Sequence, residues 1–104
     1  DNGIYSIGEL YEKQPIPELF VLNKAYPNPF NPTTTLSFAI PIDSEVSLSV
    51  YNLQGREVST LIDANMDAGY HSVVWDANSY ASGVYFVKMV AGEYINTQKL
   101  MLIK

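Results

Sequence analysis

The chain has 104 residues, of which 47% are hydrophobic and 16% charged, and its formal net charge is −5. This composition predicts one globular domain, because disordered chains combine low hydrophobicity with high charge. Six scattered basic residues argue against nucleic-acid binding, and the absence of cysteine excludes both a disulfide framework and a thiolate metal site.

Residues 1–18 are weakly patterned, and the Gln-Pro-Ile-Pro stretch within them is typical of an extended spacer. We predict a linker or N-terminal extension over 1–18 and a single domain over 19–104. The apolar side chains of the extension also allow a short strand or a clasp onto a neighbouring domain. The longest aliphatic run, residues 100–103, is too short to span a membrane. The chain opens without a basic and then apolar leader, so we expect any secretion signal to lie outside this sequence.

From residue 19 onward, apolar and polar residues alternate in the pattern of half-buried strands. The predicted strands, in chain order, are 19–22, 35–40, 45–51, 56–62, 70–75, 84–91 and 94–103. Turn residues separate them, and Gly92 suits a tight hairpin. No amphipathic helix of useful length is present, so we predict an all-β antiparallel sandwich of about seven strands. Alternation places these residues in its core: Phe38, Val46, Leu48, Val50, Val73, Trp75, Tyr85, Val87 and Leu100.

Catalytic residues are not recognisable in this sequence. His71 is the only histidine, and it lies mid-strand with no nucleophile elbow nearby, so we interpret it as a strand residue. One histidine and no cysteine leave zinc without a ligand set. The segment 63–67 distantly resembles a calcium loop, but it lacks the required Gly and the terminal Glu. We therefore predict no cofactor, no metal and no enzyme.

The sequence leaves two further classes of site open. A pair of carboxylates suffices for glycoside hydrolysis, although turns and strand ends favour aspartate for local reasons. The carboxylates in or beside predicted loops are Asp43, Glu45, Asp63, Asp67 and Asp76. A sugar-binding face is the second class, because tyrosine rings offer flat apolar platforms, but tyrosine is also an ordinary strand residue. The tyrosines considered for it are Tyr51, Tyr70, Tyr80 and Tyr94.

The most informative segment is Tyr-Pro-Asn-Pro-Phe-Asn-Pro at residues 26–32. Three prolines fix φ, forbid a helix and remove backbone donors, so the segment is predicted to run as a rigid, extended-and-turned clamp on the N-terminal edge of the sheet. Asn28 and Asn31 precede prolines and are expected to form Asx-turns with their own backbone. Phe30 is expected to plug one end of the sandwich.

This segment, continued to Leu36, resembles the type A C-terminal sorting domain of the type IX (Por) secretion system. The resemblance continues in the family's order through Val-Tyr-Asn-Leu-Gln-Gly-Arg-Glu-Val (50–58), Gly-Tyr-His-Ser-Val-Val-Trp-Asp (69–76), Ala-Ser-Gly-Val-Tyr-Phe (81–86) and Lys-Leu-Met-Leu-Ile-Lys (99–104). It covers roughly residues 18–104. Each piece alone is weak, but five in order make a specific match.

The resemblance implies a seven-stranded immunoglobulin-like sandwich, related to the module of flagellar hook-capping proteins, that follows a cargo domain. Such a domain is a secretion signal recognised in the periplasm by the outer-membrane translocon. In many members of the family a surface peptidase then removes it, and the cargo is released or attached to lipopolysaccharide at the cell surface. The family positions carried over are Pro27, Asn28, Pro29, Phe30, Gly55, Val58, Gly69, Gly83, Tyr85, Lys99 and Lys104.

These positions also have local explanations. Tight turns require glycine at the three glycine positions, and Tyr85 suits the core. Lys99 and Lys104 flank an apolar strand, where charge discourages edge-to-edge aggregation as well as offering recognition. The exposed end of this last strand is a place where a partner can add a strand. The alternative function is an accessory carbohydrate-binding or spacer module of an extracellular enzyme.

Overall fold

A computed structural model describes residues 16–104 of the chain. Within that range the regular structure is entirely β, which confirms the predicted fold class. The strands are β1 (Val21–Leu22), β2 (Thr33–Ile40), β3 (Ser44–Tyr51), β4 (Glu57–Met66), β5 (Gly69–Asp76), β6 (Gly83–Ala91) and β7 (Tyr94–Leu102). Nearly all of the predicted N-terminal extension lies outside the described residues, so that prediction stands untested. The described part of the chain contains no helix with the length and apolarity needed to cross a membrane.

The strands form two antiparallel sheets that face each other. One has three strands in the order β1-β2-β5, and the other has four in the order β4-β3-β6-β7. Alternation explains the layering, since every second residue of β2, β3, β6 and the end of β7 is apolar and buried between the sheets. The seven-strand count and the two layers are compatible with the expected immunoglobulin-like description.

The core lies between the two sheets and matches the predicted list closely. All of the predicted core residues are buried except Val73, which is half-buried and packs against the core cluster. The structure adds further fully buried side chains, among them Leu36, Ile40, Met89 and Leu102. The register inferred from alternation is therefore confirmed, because a slip of one residue would have turned each of these side chains to the solvent.

One strand is longer than predicted. β4 continues to Met66, whereas the sequence suggested that it ends at residue 62 and gives way to an acidic loop. The register with β3 pairs Val46 with Ala64 and Ser44 with Met66, so long-range backbone pairing overrides the turn-like composition of this stretch. Asp63 is consequently a strand residue and not part of a loop.

The predicted turns are present. The β6–β7 hairpin is closed by Gly92 and Glu93, and Gly92 has φ of +59°, a conformation that glycine adopts without steric cost. The β3–β4 turn contains Gly55 at φ +81°, with the Gly55 N–H donating to the Asn52 C=O at 3.0 Å. The Gly92 turn joins β6 and β7 in a register that pairs Ala91 with Tyr94 and Gly83 with Leu102.

Candidate functional site

The proline-rich segment passes from one sheet to the other. Tyr26 and Thr35 of β2 exchange both backbone hydrogen bonds, at 3.1 and 3.0 Å. Four residues later Phe30 pairs in parallel with Leu102, since the Phe30 N–H donates to the Met101 C=O at 2.9 Å and the Ile103 N–H donates to the Phe30 C=O at 3.0 Å. The segment, whose three X-Pro bonds are cis, therefore clamps both sheets, as expected of a clamp on the sheet edge. We call residues 23–30 the edge segment.

Asn28 joins the edge segment to β7 through its side chain. Its Nδ2 donates to the Lys99 C=O at 2.9 Å, and its Oδ1 accepts from the Met101 N–H at 3.0 Å. The expected Asx-turn at Asn28 is wrong, because the amide satisfies two outward-facing backbone groups of β7 instead of its own backbone. The side-chain amide thus takes the place of a peptide group in a neighbouring strand.

Further side-chain bonds attach the beginning of the edge segment to β7. Gln98 Oε1 accepts from the Ala25 N–H at 2.7 Å, and Gln98 Nε2 donates to the Asn23 C=O at 2.7 Å. The Tyr94 hydroxyl accepts from the Leu22 N–H at 3.0 Å. Gln98 is not among the site residues that the sequence patterns predicted. The available signal was its place in the alternation with Leu100, because a polar residue at an inward position must find hydrogen-bond partners.

Phe30 closes one end of the sandwich, as expected. It is 3% exposed, and its ring centroid lies 5.6 Å from that of Trp75. Trp75 in turn contacts Tyr80 and Tyr85, with centroid separations of 5.4 and 5.5 Å. The edge segment is therefore held by an aromatic cluster on its inner side as well as by hydrogen bonds along β7.

Two hydroxyls of this cluster are used in the fold. Tyr85 lies near the start of β6, and its hydroxyl donates to the C=O of Ala81, four residues upstream of Tyr85, at 2.6 Å. This is the arrangement called a tyrosine corner in immunoglobulin-type sandwiches. The Tyr80 hydroxyl donates to the C=O of Val58 at 2.8 Å. Tyr80 and Tyr85 therefore attach the loop before β6 to the four-stranded sheet.

The four tyrosines considered for a sugar-binding face do not share one surface. Tyr80 belongs to the aromatic cluster, and Tyr94 stacks on Phe20 at 5.6 Å while accepting a backbone hydrogen bond. Tyr51 ends β3 in the four-stranded sheet, whereas Tyr70 lies near the start of β5 in the three-stranded sheet. Of the four, Tyr70 is the largely exposed one, at 57%.

The carboxylates and the histidine are also dispersed. His71 stacks on Phe38 at 5.3 Å, and its Nε2 lies 2.8 Å from the Asp67 C=O, so it has the strand position that was predicted. The Asp43 carboxylate accepts from the Ala68 N–H at 2.8 Å and so braces two turns. Among residues 16–104 no three His, Asp or Glu side chains converge in a way that would hold a metal ion.

Most of the predicted family positions gather around the end of β7. Asn28 and Phe30 contact its edge, Gly83 pairs with Leu102, and the Pro27 C=O accepts from the Thr34 hydroxyl at 2.7 Å. Lys104 donates its backbone N–H to Ser82 and its ammonium group to the Asn78 C=O. Gly55 lies in the β3–β4 turn and Gly69 begins β5, so both stand outside these contacts.

The open edge expected at the end of the last strand is partly closed. At residues 99–103 the outward backbone groups of β7 bond to Asn28 and Phe30, so a strand from a partner does not have free access there. The physical reason is that an unpaired edge exposes donors and acceptors, which the edge segment satisfies. Residues 95–97 of β7 lie beyond this contact, and β7 is an edge strand of its sheet.

A comparison with protein-family models identifies the family of this chain. The family model described as secretion system C-terminal sorting domain matches residues 24–104. The matched region begins in the edge segment and includes all of the strands except β1. The search of curated proteins found no match for the chain.

Proposed function

We propose that this chain, which belongs to the type IX secretion C-terminal sorting domain family, directs a fused cargo protein across the outer membrane. The family is a non-catalytic secretion signal, and membership implies export and an interaction with the type IX secretion machinery. The observation that carries the proposal is the match over residues 24–104, which covers the sandwich from the edge segment through β7.

The fold suits a tag that is recognised while folded. The edge segment and β7 come from opposite ends of the matched region, yet they lie side by side through the Phe30 and Leu102 pair. A receptor that binds this edge contacts residues that are distant in sequence but adjacent in the fold. An unfolded chain does not present these residues together. We propose that the outer-membrane translocon reads this edge, that the cargo precedes the domain, and that a surface peptidase later separates the two.

The direct test attaches this chain to an unrelated protein. The complete 104-residue chain is fused behind a reporter protein directed to the periplasm of a bacterium that has a type IX system. We expect the reporter at the cell surface or in the medium, and in the periplasm of a strain that lacks the translocon. The matched control is the same reporter without residues 24–104. Equal export of both fusions, or retention of both, would contradict the proposal.

The carbohydrate-binding alternative receives less support from the geometry. Sugar-binding faces depend on aromatic rings that are exposed together, whereas Tyr80 and Tyr94 are hydrogen-bonded within the fold and Tyr51 and Tyr70 lie in different sheets. Retention of the isolated chain on an insoluble glycan, weakened by Y70A, would favour this alternative.

A further inference from the structure

The outer face of the four-stranded sheet carries a gradient of charge. Strands β6 and β7 contain Lys88 and Lys99 and no aspartate or glutamate, although the whole chain has a net charge of −5. On the opposite edge, β4 carries Glu57 and Asp63. Cross-strand pairing aligns one complete row from negative to positive: Glu57, Tyr51, Phe86 and Lys99.

The two lysines are close to each other and face no carboxylate across the strands. Lys88 is paired with Ser49 and Thr97, and Lys99 is paired with Phe86. They are diagonal neighbours on β6 and β7, which places their Cβ atoms roughly 7–8 Å apart. Their mutual repulsion is relieved when an anionic group binds between them, so the pair favours a negatively charged partner.

An apolar groove lies beside the lysines on the same face. It has a volume of about 320 Å³ and is lined by Tyr51, Leu53 and Phe86, with Lys88 and Thr97 at one side. Leu53 lies in the β3–β4 turn and is 65% exposed, so its apolar side chain is accessible at the groove. This volume is at the lower end of the range for ligand pockets, so the groove suits one large apolar side chain.

The edge of β7 next to this groove offers backbone hydrogen bonds. In an antiparallel pair, alternate residues direct their N–H and C=O groups away from the neighbouring strand. Met101 does so towards the edge segment, and Thr97 and Ile95 share its phase on β7. Among the described residues, the edge segment bonds to the backbone of β7 only at residues 99–103 and otherwise to the side chain of Gln98, so the outward backbone groups of Ile95 and Thr97 are available to an added strand about 4.8 Å away.

We infer that an extended acidic segment of a partner protein docks on β7, adding a strand at residues 95–97, with carboxylates at Lys88 and Lys99 and an apolar side chain in the Phe86 groove. This inference rests on the proposed function, since it assigns the partner to the export machinery. Strand addition supplies backbone hydrogen bonds, and the lysines and groove select the sequence. Asn28 limits the added strand at one end, because it already occupies the Lys99 C=O.

Two other occupants fit the observations less well. An anionic lipopolysaccharide would use the lysines but has no backbone with which to pair β7. A second copy of the chain would have to offer the acidic edge of β4, whose pairing with β3 is interrupted by irregularities at Leu48 and Ser49 and again at Val50 and Tyr51. Such bulges twist an edge away from regular pairing.

The binding test uses the complete chain and two peptides. The acidic probe is acetyl-Glu-Thr-Leu-Thr-Glu-Thr-amide, in which both Glu and the Leu lie on one face of an extended strand, and its control replaces both Glu by Lys. We expect the acidic peptide to shift the amide NMR signals of Ile95, Thr97 and Lys99, and the lysine peptide to leave them unchanged. The K88E/K99E variant should lose about tenfold in affinity for the acidic peptide and bind the lysine peptide instead. Unchanged Trp75 signals will show that the variant is folded.

Three results would overturn the inference. The first is the absence of shifts at residues 95–99, or their appearance on the three-stranded sheet. The second is binding of lipopolysaccharide micelles, lost in K88E/K99E, with no binding of the acidic peptide, which would assign the lysines to an anionic lipid. The third is self-association of the chain in light scattering that K88E/K99E abolishes, which would assign the edge to a second copy.

An export experiment distinguishes failure of this inference from failure of the proposed function. In the full-length cargo protein, K88E/K99E should raise the periplasmic fraction at least severalfold, whereas the matched reversal E45K/D63K at the acidic side should be exported normally. If the reporter fusion is exported but K88E/K99E is exported as well as the unmodified protein, the docking surface is refuted and the proposed function stands. If the fusion itself is not exported, the proposed function fails, and the peptide experiment still decides the docking surface.

Discussion

Met101 donates its backbone N–H to the side-chain oxygen of Asn28 at 3.0 Å, although the two residues are 73 positions apart in the sequence. The other half of the same amide donates to the Lys99 C=O. One side chain therefore satisfies both a donor and an acceptor on the edge of β7, and it does so from a segment that has just left the other sheet.

Replacing Asn28 tests how much this amide contributes. N28A should lower the free energy of unfolding by about 1–2 kcal/mol, because it removes two hydrogen bonds to backbone groups at a partly solvated edge. N28D keeps the acceptor for Met101 but has no donor for Lys99, so it should be destabilised similarly. Urea unfolding measures both. N31A, at an exposed asparagine of the proline-rich segment 26–32, serves as the control and should change stability by less than about 0.5 kcal/mol.

Phe30 provides the second prediction. F30A should cost about 3–5 kcal/mol, since it empties a buried site against Trp75, and F30L should cost less than about 1.5 kcal/mol because most of the volume is kept. Trp75 is the only tryptophan, so its fluorescence reports directly on this contact. Equal stability of the two variants would show that Phe30 does not plug the sandwich.

The tyrosine corner provides the third prediction. Y85F removes only the hydroxyl that donates to the Ala81 C=O and should cost about 1 kcal/mol, with the ring still packed on Trp75. Y80F removes the corresponding bond to Val58 and should cost a comparable amount. Thermal unfolding compares them. A Y85F variant as stable as the unmodified chain would mean that the ring alone fixes the loop before β6.

Replacing Gly55 tests whether backbone strain or side-chain packing selects glycine at this position. A Cβ placed at this position meets no atom within 4 Å, so G55A has room, yet its φ of +81° is unfavourable for alanine. The expected loss is about 1 kcal/mol for G55A and less for G55N, because asparagine adopts positive φ more readily. Chemical denaturation gives the order. If G55A and G55N are equal, φ is not what selects glycine here.

Local patterns predicted the strands well wherever alternation was strict. The inward faces of β2, β3 and β6 follow from the sequence because each has a buried residue at every second position. The predicted strand ends at residue 62, before the observed end of β4, because Asp63 and Asn65 resemble turn residues. The pairing of β4 with β3 is a long-range interaction that composition does not reveal.

The contacts of the candidate site depend even more on hydrogen bonds between residues that are distant in sequence. Asn28 precedes a proline, which favours an Asx-turn locally, but the unpaired edge of β7 offers two partners that the local backbone does not. Gln98 was missed for the same reason, since its partners at Asn23 and Ala25 lie at the other end of the chain. The sequence therefore predicted which residues matter near this edge better than what they contact.

The parallel pairing of Phe30 with Leu102 has a mechanical consequence. If the chain before residue 30 and the chain after residue 102 are pulled apart, the two paired segments are drawn in opposite directions along their common axis. The bonds between Phe30 and residues 101 and 103 are then sheared together, and are not opened one after another as in a hairpin. A sandwich loaded this way resists extension until those bonds break together, so we expect its unfolding under force to begin at the Phe30 and Leu102 pair.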